Sequence, residues 1–366
     1  MENKKRDMNY ELLRIISMIL IICSHYITHS HIMNDVELYS FNYFILEIIM
    51  FSTRISVGLY ILITGYYMVM SKMKLKKLIN IWIEIIFYSV LILIIYVIAS
   101  RDFNLKNIIK SFLPISSSWY WFATAYIALY MLTPFINVLI KNINKKQYLF
   151  LLGILSFFMV IQKNIFNTNR IVDSNGGSNL MFFIFLYLIG GYIRLYFKNK
   201  INRKIYLSIV IVTPLIDTTL KVIASILFNK SLGRLMDFNS IFNFASMICL
   251  FLYFKDLKIK NEKLSKVIGK IAPLTFAIYL ITDNGLSRNF IWSNIFRVRN
   301  FANSPYLIIH FLATIIVIFV VCGIIEVIRV KLWNLCSTIK IIKKIDNKID
   351  NLNKRFWNIM EEKNEN

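Results

Sequence analysis

The sequence is poor in the residues that cross-link or interrupt a chain. Its 366 residues include only 4 cysteines, 11 glycines and 5 prolines. The cysteines fall mostly within apolar segments and have neither the paired spacing of a disulfide framework nor the close spacing of a zinc site; they are Cys23, Cys249, Cys322 and Cys336. The sequence therefore predicts no disulfide framework and no metal site.

Acidic residues are also scarce. There are 20 Asp and Glu residues against 43 Lys and Arg residues, which leaves a formal net charge of +23 at pH 7. In a soluble protein this excess would indicate a nucleic-acid partner, but the cytoplasmic loops of membrane proteins carry the same excess. The position of the charges along the chain favours the second interpretation, so we expect no nucleic-acid partner.

Apolar surface is abundant. Hydrophobic residues make up 57% of the chain, with 29 Phe, 20 Tyr and 6 Trp, which is more than a soluble fold of this length buries. Most of the apolar stretches are close to the roughly 20 residues that cross a bilayer; they lie at 12–31, 55–71, 78–99, 119–140, 148–162, 180–197, 205–228, 238–254, 268–283 and 306–328. The sequence predicts an all-α polytopic membrane protein with about ten transmembrane helices, and a re-entrant or interfacial piece at 43–53.

The basic residues indicate the orientation. Alternate loops, beginning with the N-terminus, hold most of the 43 Lys and Arg residues; these loops are 4–6, 72–77, 141–146, 194–204, 255–270 and the C-terminal tail. Positively charged loops stay on the cytoplasmic side. We therefore predict that both termini are cytoplasmic.

The C-terminal tail has its own pattern. From Ile339 onward, apolar residues recur every three or four positions between lysines and asparagines, which predicts an amphipathic helix. We divide the chain into a transmembrane domain (1–333) and a basic cytoplasmic tail (334–366). The tail helix is expected either to lie on the anionic cytoplasmic leaflet or to pair with a second copy of the chain in a homo-oligomer.

Three basic residues, Arg14, Arg54 and Lys221, fall inside predicted spans, where a charge is costly unless it is paired or hydrated. Lys221 follows Asp217 by four residues, which predicts an ion pair within one helix. Arg54 follows Glu47 by two turns and either pairs with it or faces a cavity.

The first predicted helix contains "RIISMILIICSH" (14–25), an arginine followed eleven residues later by a histidine. At about 100° and ~1.5 Å per residue, Arg14 and His25 share one helix face and lie ~16 Å apart along the axis. That face carries a fixed cation near the cytoplasmic interface and a titratable base beyond the membrane midplane. The spacing alone also fits a snorkelling arginine and a separately solvated histidine.

An Arg, ten residues and a His in the first of about ten helices resembles the membrane-bound acyltransferase-3 family. Several later stretches resemble a surface-polysaccharide branch of that family; they are "VGLYILITGYYM" (57–68), "KKLINIWIEIIFYS" (76–89), "WYWFATAYIALYMLTPFIN" (119–137), "FIFLYLIGGYIRLY" (183–196) and "APLTFAIYLITDN" (272–284). Their order is more specific than any one of them, and the resemblance covers roughly residues 8 to 330.

This resemblance implies an enzyme of the bacterial cytoplasmic membrane. Such enzymes carry acyl groups, commonly acetyl, from cytoplasmic acyl-coenzyme A to hydroxyls of cell-surface sugars. Acetyl-coenzyme A is then a donor substrate, and no permanently bound cofactor is implied. The chain departs from the family at two places: Lys74-x-x-Lys77 stands where an Arg-x-x-Arg pair is common, and Thr282 stands where the branch tends to have a histidine.

The chemistry of acyl transfer fits the pair in the first helix. A base near its operating pH must take the hydroxyl proton, and His25 suits that task. Arg14 is expected to anchor the donor or to orient its thioester. The donor's phosphates are expected at the cytoplasmic mouth, held by charged side chains, with lysines acting as point charges where arginines would form planar forks; the lysines are Lys74, Lys76 and Lys77. A covalent acyl-histidine and direct transfer both remain open.

The acceptor is expected to be a surface polysaccharide or a lipid-linked sugar that arrives from the outer side. Trp119 and Trp121 in "SSSWYWF" (116–122) are candidates for stacking on a sugar, although a membrane-interface aromatic belt explains them as well. Asp283 and Asn284 are the polar groups of "YLITDN" (279–284), and Arg54 is a further acceptor-binding candidate.

The remaining histidines are assigned structural roles. His29 and His31 fall at the outer end of the first helix or in the loop beyond, and are expected to be solvated and not to be ligands. His310, early in the last helix, is expected to be packed and hydrogen-bonded. Glu326 is expected to pair with Arg329 one turn later.

An alternative of another class is a transporter or flippase for a polysaccharide or its lipid-linked precursor. Such proteins more naturally show two related halves with helices broken by Gly or Pro at matching positions. The 11 glycines and 5 prolines form no such repeat. The sequence therefore favours the acyltransferase.

Overall fold

The computed structural model of the chain describes residues 7–166, 176–198, 200–229, 232–336 and 340–361. Within these ranges the chain forms α-helices and short 3₁₀ and π segments, and no β-strand. The α-helices are α1 (Met8–Thr28), α2 (Phe41–Thr53), α3 (Ser56–Met68), α4 (Leu75–Ser100), α5 (Leu105–Phe112), α6 (Trp121–Lys141), α7 (Lys145–Ser156), α8 (Gln162–Phe166), α9 (Leu180–Tyr196), α10 (Arg203–Phe228), α11 (Ile241–Lys255), α12 (Glu262–Ile271), α13 (Thr275–Thr282), α14 (Leu307–Cys336) and α15 (Lys340–Glu361).

The prediction of an all-α polytopic membrane protein is confirmed. Among the described residues, nine helical segments are long and apolar enough to cross a bilayer. The apolar helix α9 is shorter, at 17 residues. Together they follow the order of the predicted apolar stretches, because a run of about 20 apolar residues has few other ways to satisfy its backbone in lipid.

The second span, 41–68, is broken in the middle. α2 ends at Thr53, a turn follows at Arg54 and Ile55, and α3 begins at Ser56. The segment 43–53 is therefore the first half of this span, and the expectation of a separate re-entrant or interfacial piece was wrong.

Helices α3 and α9 pack against each other through glycines. A Cβ atom on Gly65 would lie 2.2 Å from the carbonyl oxygen of Tyr187, and one on Gly190 would lie 2.4 Å from that of Leu62. Small residues allow this close approach, which is a common way for membrane helices to associate. The Tyr187 hydroxyl also donates to the Asn137 side chain at 2.7 Å, so α6 is held against the same pair.

The first helix is the centre of the bundle. α1 contacts α2, α3, α11, α12, α13 and α14. Its residues Leu13, Ile22 and Tyr26 have no exposed surface. The buried polar side chains of α1, among them Ser17 and His25, are therefore held in a protein environment.

The buried lysine of α10 pairs with another helix. Lys221 Nζ lies 2.5 Å from Glu47 Oε1 on α2, and both carboxylate oxygens of Asp217 are buried with no hydrogen-bond partner among the described residues. The predicted pair of Asp217 and Lys221 was therefore wrong. Helical spacing permits a local pair but cannot exclude a partner that the fold brings from another helix.

The predicted pair in α14 is confirmed. Arg329 donates to both carboxylate oxygens of Glu326, at 2.7 and 2.6 Å. Tyr88 on α4 donates to the same carboxylate at 2.6 Å, and Arg329 also lies 3.6 Å from Glu84. These contacts tie α4 to α14 with a polar cluster.

The amphipathic tail helix lies against the chain's own segment 73–76. The Trp357 indole donates to the Met73 carbonyl at 2.9 Å, and the Asn353 side chain accepts from the Leu75 backbone N–H at 3.0 Å. Lys76 pairs with Asp346 at 2.7 Å. Part of the tail's polar face is thus used to hold α15 at the start of α4.

Candidate active site

His25 is held by the end of α13. It is 8% exposed, and its Nδ1 lies 3.0 Å from Thr282 Oγ1. The Thr282 hydroxyl donates to the Ile278 carbonyl at 2.8 Å, so it can only accept from His25. In the neutral imidazole this assigns the proton to Nδ1 and leaves Nε2 with a free lone pair. His25 is thereby presented as a base.

Asp283 and His29 complete a cluster around that lone pair. His25 Nε2 lies 3.8 Å from Asp283 Oδ1, and His29 Nε2 lies 3.0 Å from the same oxygen. The two histidine rings are 4.5 Å apart. Three titratable groups thus lie close together, and His29 and Asp283 are within hydrogen-bonding distance.

The expectation that His29 is a solvated loop residue was wrong. α1 continues to Thr28, and His29 caps it by donating its backbone N–H to the His25 carbonyl. Residues four apart share a helix face, so the i, i+4 spacing of the two histidines was a signal for the pair. His31 lies past the helix end and is exposed, as expected.

The environment of Asp283 favours its carboxylate form. Burial by itself raises the pKa of Asp283, but the hydrogen bond from His29 and the neighbouring charges of His25 and His29 lower it more, so the net shift is downward. The carboxylate can then stabilise a positive charge on either histidine.

The same cluster has the composition of a metal site. His25, His29 and Asp283 each offer one ligand atom, and these atoms lie within 4.8 Å of one another. Imidazole and carboxylate ligands suit zinc and other transition metals. The expectation of no metal site came from the spacing of the cysteines and stays a prediction; Asp283 is far from the two histidines along the chain, so sequence spacing did not indicate this cluster.

Arg14 lies at the other end of the same helix face. Its guanidinium pairs with Glu11 at 2.7 Å, and its carbonyl accepts from the Tyr60 hydroxyl at 2.9 Å. The guanidinium lines a cavity of ≈ 270 Å³, called here the Arg14 cavity. Tyr279, Glu84 and Lys77 line it too, among mostly apolar side chains.

The three lysines of the predicted donor site have different positions. Lys77 lines the Arg14 cavity, with its Nζ 5.4 Å from the centroid of the Tyr130 ring. Lys76 is paired with Asp346 of α15. Lys74 precedes α4, and its backbone N–H donates to the Tyr130 hydroxyl at 3.2 Å. The structure thus brings Lys77 and Arg14 to one cavity and places Lys76 beside the tail.

A second cavity, of ≈ 440 Å³, lies beyond Asp283 and is called here the Trp119 cavity. Trp119, Trp121 and Asp283 all line it, together with Lys110 and Arg288. Sequence reasoning missed these two cations, because one lies on the short helix α5 and the other in the turn after α13.

His25 lies between the two cavities. Its ring is 6.3 Å, centroid to centroid, from that of Tyr279, which lines the Arg14 cavity. Asp283, which lines the Trp119 cavity, follows Tyr279 by four residues, a separation of about one helical turn or ~6 Å. His25 itself lines neither cavity.

Two predicted acceptor residues line neither cavity. Asn284 is buried, donates to the Tyr120 hydroxyl at 2.6 Å and accepts from the Leu286 backbone N–H at 2.9 Å, which fixes the turn after α13. Arg54 lies over the Phe238 ring at 5.6 Å and donates to the Met50 sulfur at 3.3 Å. Pairing of Arg54 with Glu47 was one of two alternatives; in the structure Glu47 pairs with Lys221.

The structural role expected for His310 is confirmed. Its Nδ1 lies 2.9 Å from the Tyr26 hydroxyl, and its ring stacks on Phe301 at 3.8 Å. One ring face and Nδ1 of His310 are thus engaged in packing the N-terminal part of α14 against α1.

Comparison with known proteins gives one result. A family model described as an acyltransferase domain matches residues 9–327. No curated protein and no solved structure matches the chain.

Proposed function

The chain belongs to the acyltransferase-3 family and is a multi-pass membrane acyltransferase, and from that premise we propose a specific reaction. It is the transfer of an acyl group, most simply acetyl, from cytoplasmic acyl-coenzyme A to a hydroxyl of a surface or secreted polysaccharide or its lipid-linked precursor. The proposed location is the cytoplasmic membrane of a bacterium. The position of His25 between two cavities carries the proposal.

The Arg14 cavity is suited to the donor. Arg14 and Lys77 supply positive charge for the phosphates of coenzyme A. The other lining residues are mostly apolar and suit a pantetheine arm directed towards Tyr279 and His25. The ~16 Å along α1 between Arg14 and His25 matches an elongated donor whose charged end stays at the membrane surface.

The Trp119 cavity is suited to the acceptor. Trp119 and Trp121 offer aromatic surface, and the cavity reaches Asp283 of the histidine cluster. An acceptor hydroxyl at this end and a thioester at the other end would approach His25 from opposite sides. Because His25 lines neither cavity, the two substrates must displace side chains such as Tyr279 to meet there.

In the proposed reaction, His25 Nε2 takes the proton of the acceptor hydroxyl as its oxygen attacks the thioester carbonyl. The tetrahedral intermediate then collapses, the carbon–sulfur bond breaks, and the coenzyme A thiolate takes the proton back from His25. Thr282 holds Nδ1–H throughout, and the Asp283 carboxylate stabilises the transient imidazolium. The direct route needs no acyl-enzyme.

The test is a donor assay on detergent-purified protein with radiolabelled acetyl-coenzyme A. Wild-type protein should bind coenzyme A and hydrolyse the thioester slowly without acceptor. In cells at matched membrane levels, His25→Gln should lower acylation of the isolated surface polysaccharide by roughly 10²–10⁴-fold. His31→Asn, which changes an exposed histidine in a left-handed conformation that Asn tolerates, is the matched control. Wild-type acylation by His25→Gln would contradict the mechanism.

A further inference from the structure

The residues that line the Trp119 cavity carry a net positive charge. Lys110 and Arg288 line it, and the acidic residue among its lining residues is Asp283. We propose that this cavity selects an acceptor sugar that bears a negative charge, either a carboxylate or a phosphate group. The inference rests on the proposed function and names the substrate class that the acceptor end would take.

Asp283 carries one negative charge and cannot balance both cations. Its Oδ1 accepts from His29 at 3.0 Å and faces His25 at 3.8 Å. The carboxylate is thus shared by two histidines inside the cluster. One net positive charge among Lys110, Arg288 and Asp283 is therefore left to interact with solvent or with a ligand.

Lys110 is held in a defined place. Its Nζ lies 5.0 Å from the centroid of the Trp119 ring, a cation–π distance. This contact lets the ammonium group stay at the cavity wall while its three donors remain usable. It also places the cation beside an aromatic ring that an acceptor sugar would touch.

Arg288 is the less constrained of the two. Its backbone N–H donates to the Asn284 carbonyl at 3.0 Å, but its side chain is exposed and, within the described part of the chain, its guanidinium makes no hydrogen bond or ion pair. A guanidinium binds a carboxylate or phosphate through two parallel hydrogen bonds. Arg288 is therefore the group that would discriminate most strongly between an anionic and a neutral sugar.

Uncharged donors around the same cavity suit the rest of a sugar ring. Ser118 and Asn107 line it. The Trp119 indole nitrogen is buried with no hydrogen-bond partner among the described residues. A ligand rich in oxygen acceptors would satisfy these groups, whereas an apolar ligand would leave them unpaired.

The decisive experiment compares ligands that differ only in charge. Binding of tetragalacturonate, its fully methyl-esterified form and galactose 1-phosphate to detergent-purified full-length protein is measured by saturation-transfer NMR and titration. Tetragalacturonate should bind at least tenfold more tightly than the neutral ester, and Arg288→Gln should remove most of that preference. Lys110→Gln should weaken it by a smaller factor. If galactose 1-phosphate also binds tightly, the cavity accepts sugars with any anionic substituent. If it binds weakly, the preference is for carboxylates.

The matched control is Lys106→Gln. Lys106 lies on the same short helix as Lys110, is exposed and does not line the cavity; its substitution should leave the ligand preference unchanged. Equal binding of the acid and its ester, or an unchanged preference in Arg288→Gln, would overturn the inference. Wild-type protein that hydrolyses acetyl-coenzyme A yet shows no charge preference would refute this inference alone. Protein that neither binds nor hydrolyses the donor would refute the proposed function.

Discussion

At the residue scale, the candidate site is a series of polar groups in which the donor and acceptor of each hydrogen bond to His25 are defined. The Thr282 hydroxyl oxygen accepts a hydrogen bond from Nδ1–H of His25, and Nε2 of His25 faces the Asp283 carboxylate, which His29 also contacts. In this chain a hydroxyl whose own proton is used elsewhere does the orienting, so the tautomer of His25 is fixed by α13.

Thr282→Val tests that orienting role. Valine has the shape of threonine but cannot accept a hydrogen bond from Nδ1–H of His25. We therefore expect kcat to fall by roughly tenfold, which is equivalent to about 1.4 kcal/mol for the lost hydrogen bond. Thr282→Ser restores the hydroxyl and should recover most of kcat. The measurement is steady-state transfer with saturating donor. Equal rates for the Val and Ser variants would mean that Thr282 only packs.

The carboxylate of Asp283 predicts a pH dependence of stability. Because its pKa is lowered in the folded protein, its contribution is present above the unfolded value, near 3.9, and is lost as pH falls through the folded value. The melting temperature of wild-type protein in detergent should therefore fall as pH drops below about 4. Asp283→Asn should melt lower at neutral pH and show a shallower decline. Parallel wild-type and Asp283→Asn curves would show that the carboxylate is not stabilised by its neighbours.

At the element scale, sequence reasoning found the helices but missed how some of them are used. Long apolar runs reveal spans because lipid forces the backbone into helices. The turn at Arg54 could not be predicted from the sequence, because no Gly or Pro lies there. The pair of Lys221 and Glu47 joins α10 to α2, and helical periodicity describes only one helix at a time. The role of His29 was missed because its partner, Asp283, lies at the end of a helix distant in sequence.

The close contact of α3 and α9 predicts a sharp difference between two glycines. Gly65→Ala should destabilise the protein by about 1–3 kcal/mol, because the new Cβ would lie 2.2 Å from a backbone carbonyl. Gly153→Ala on α7 has no heavy atom within 4 Å of its Cβ and should be neutral or slightly stabilising. Thermal unfolding in detergent measures both. An unchanged melting temperature for Gly65→Ala would mean that α3 and α9 are free to separate.

The start of α4 predicts unequal roles for its lysines. Lys77→Gln should raise the KM for acyl-coenzyme A several-fold with little change in kcat, because a lost phosphate contact weakens binding in the ground state and transition state alike. Asp346→Asn frees Lys76 from the tail and should lower that KM. Lys348→Gln, on the exposed side of α15, is the control. If Lys77→Gln leaves the KM for the donor unchanged, the donor does not bind in the Arg14 cavity.

At the scale of the whole molecule, the two cavities lie on either side of His25. Tyr279 lines one cavity and Asp283 lines the other, and these two residues are one helical turn apart. A donor made in the cytoplasm and an acceptor displayed outside could meet at such a place without either crossing the bilayer. This arrangement depends on orientation. The Arg14 cavity must open towards the cytoplasm, and the Trp119 cavity must open towards the outside.

The asymmetry of lysine and arginine along the chain predicts that orientation, with both termini in the cytoplasm. Single cysteines are introduced in a background that lacks Cys23, Cys249, Cys322 and Cys336 and are treated with a membrane-impermeant maleimide. Lys106→Cys, near the Trp119 cavity, should be labelled in intact cells. Lys200→Cys, in the basic loop after α9, should be labelled only after permeabilisation. Labelling of position 200 from outside would mean that the orientation is the opposite of the predicted one. Arg14 and Lys77 would then face a compartment without coenzyme A, which would refute the assignment of both the donor and the acceptor end.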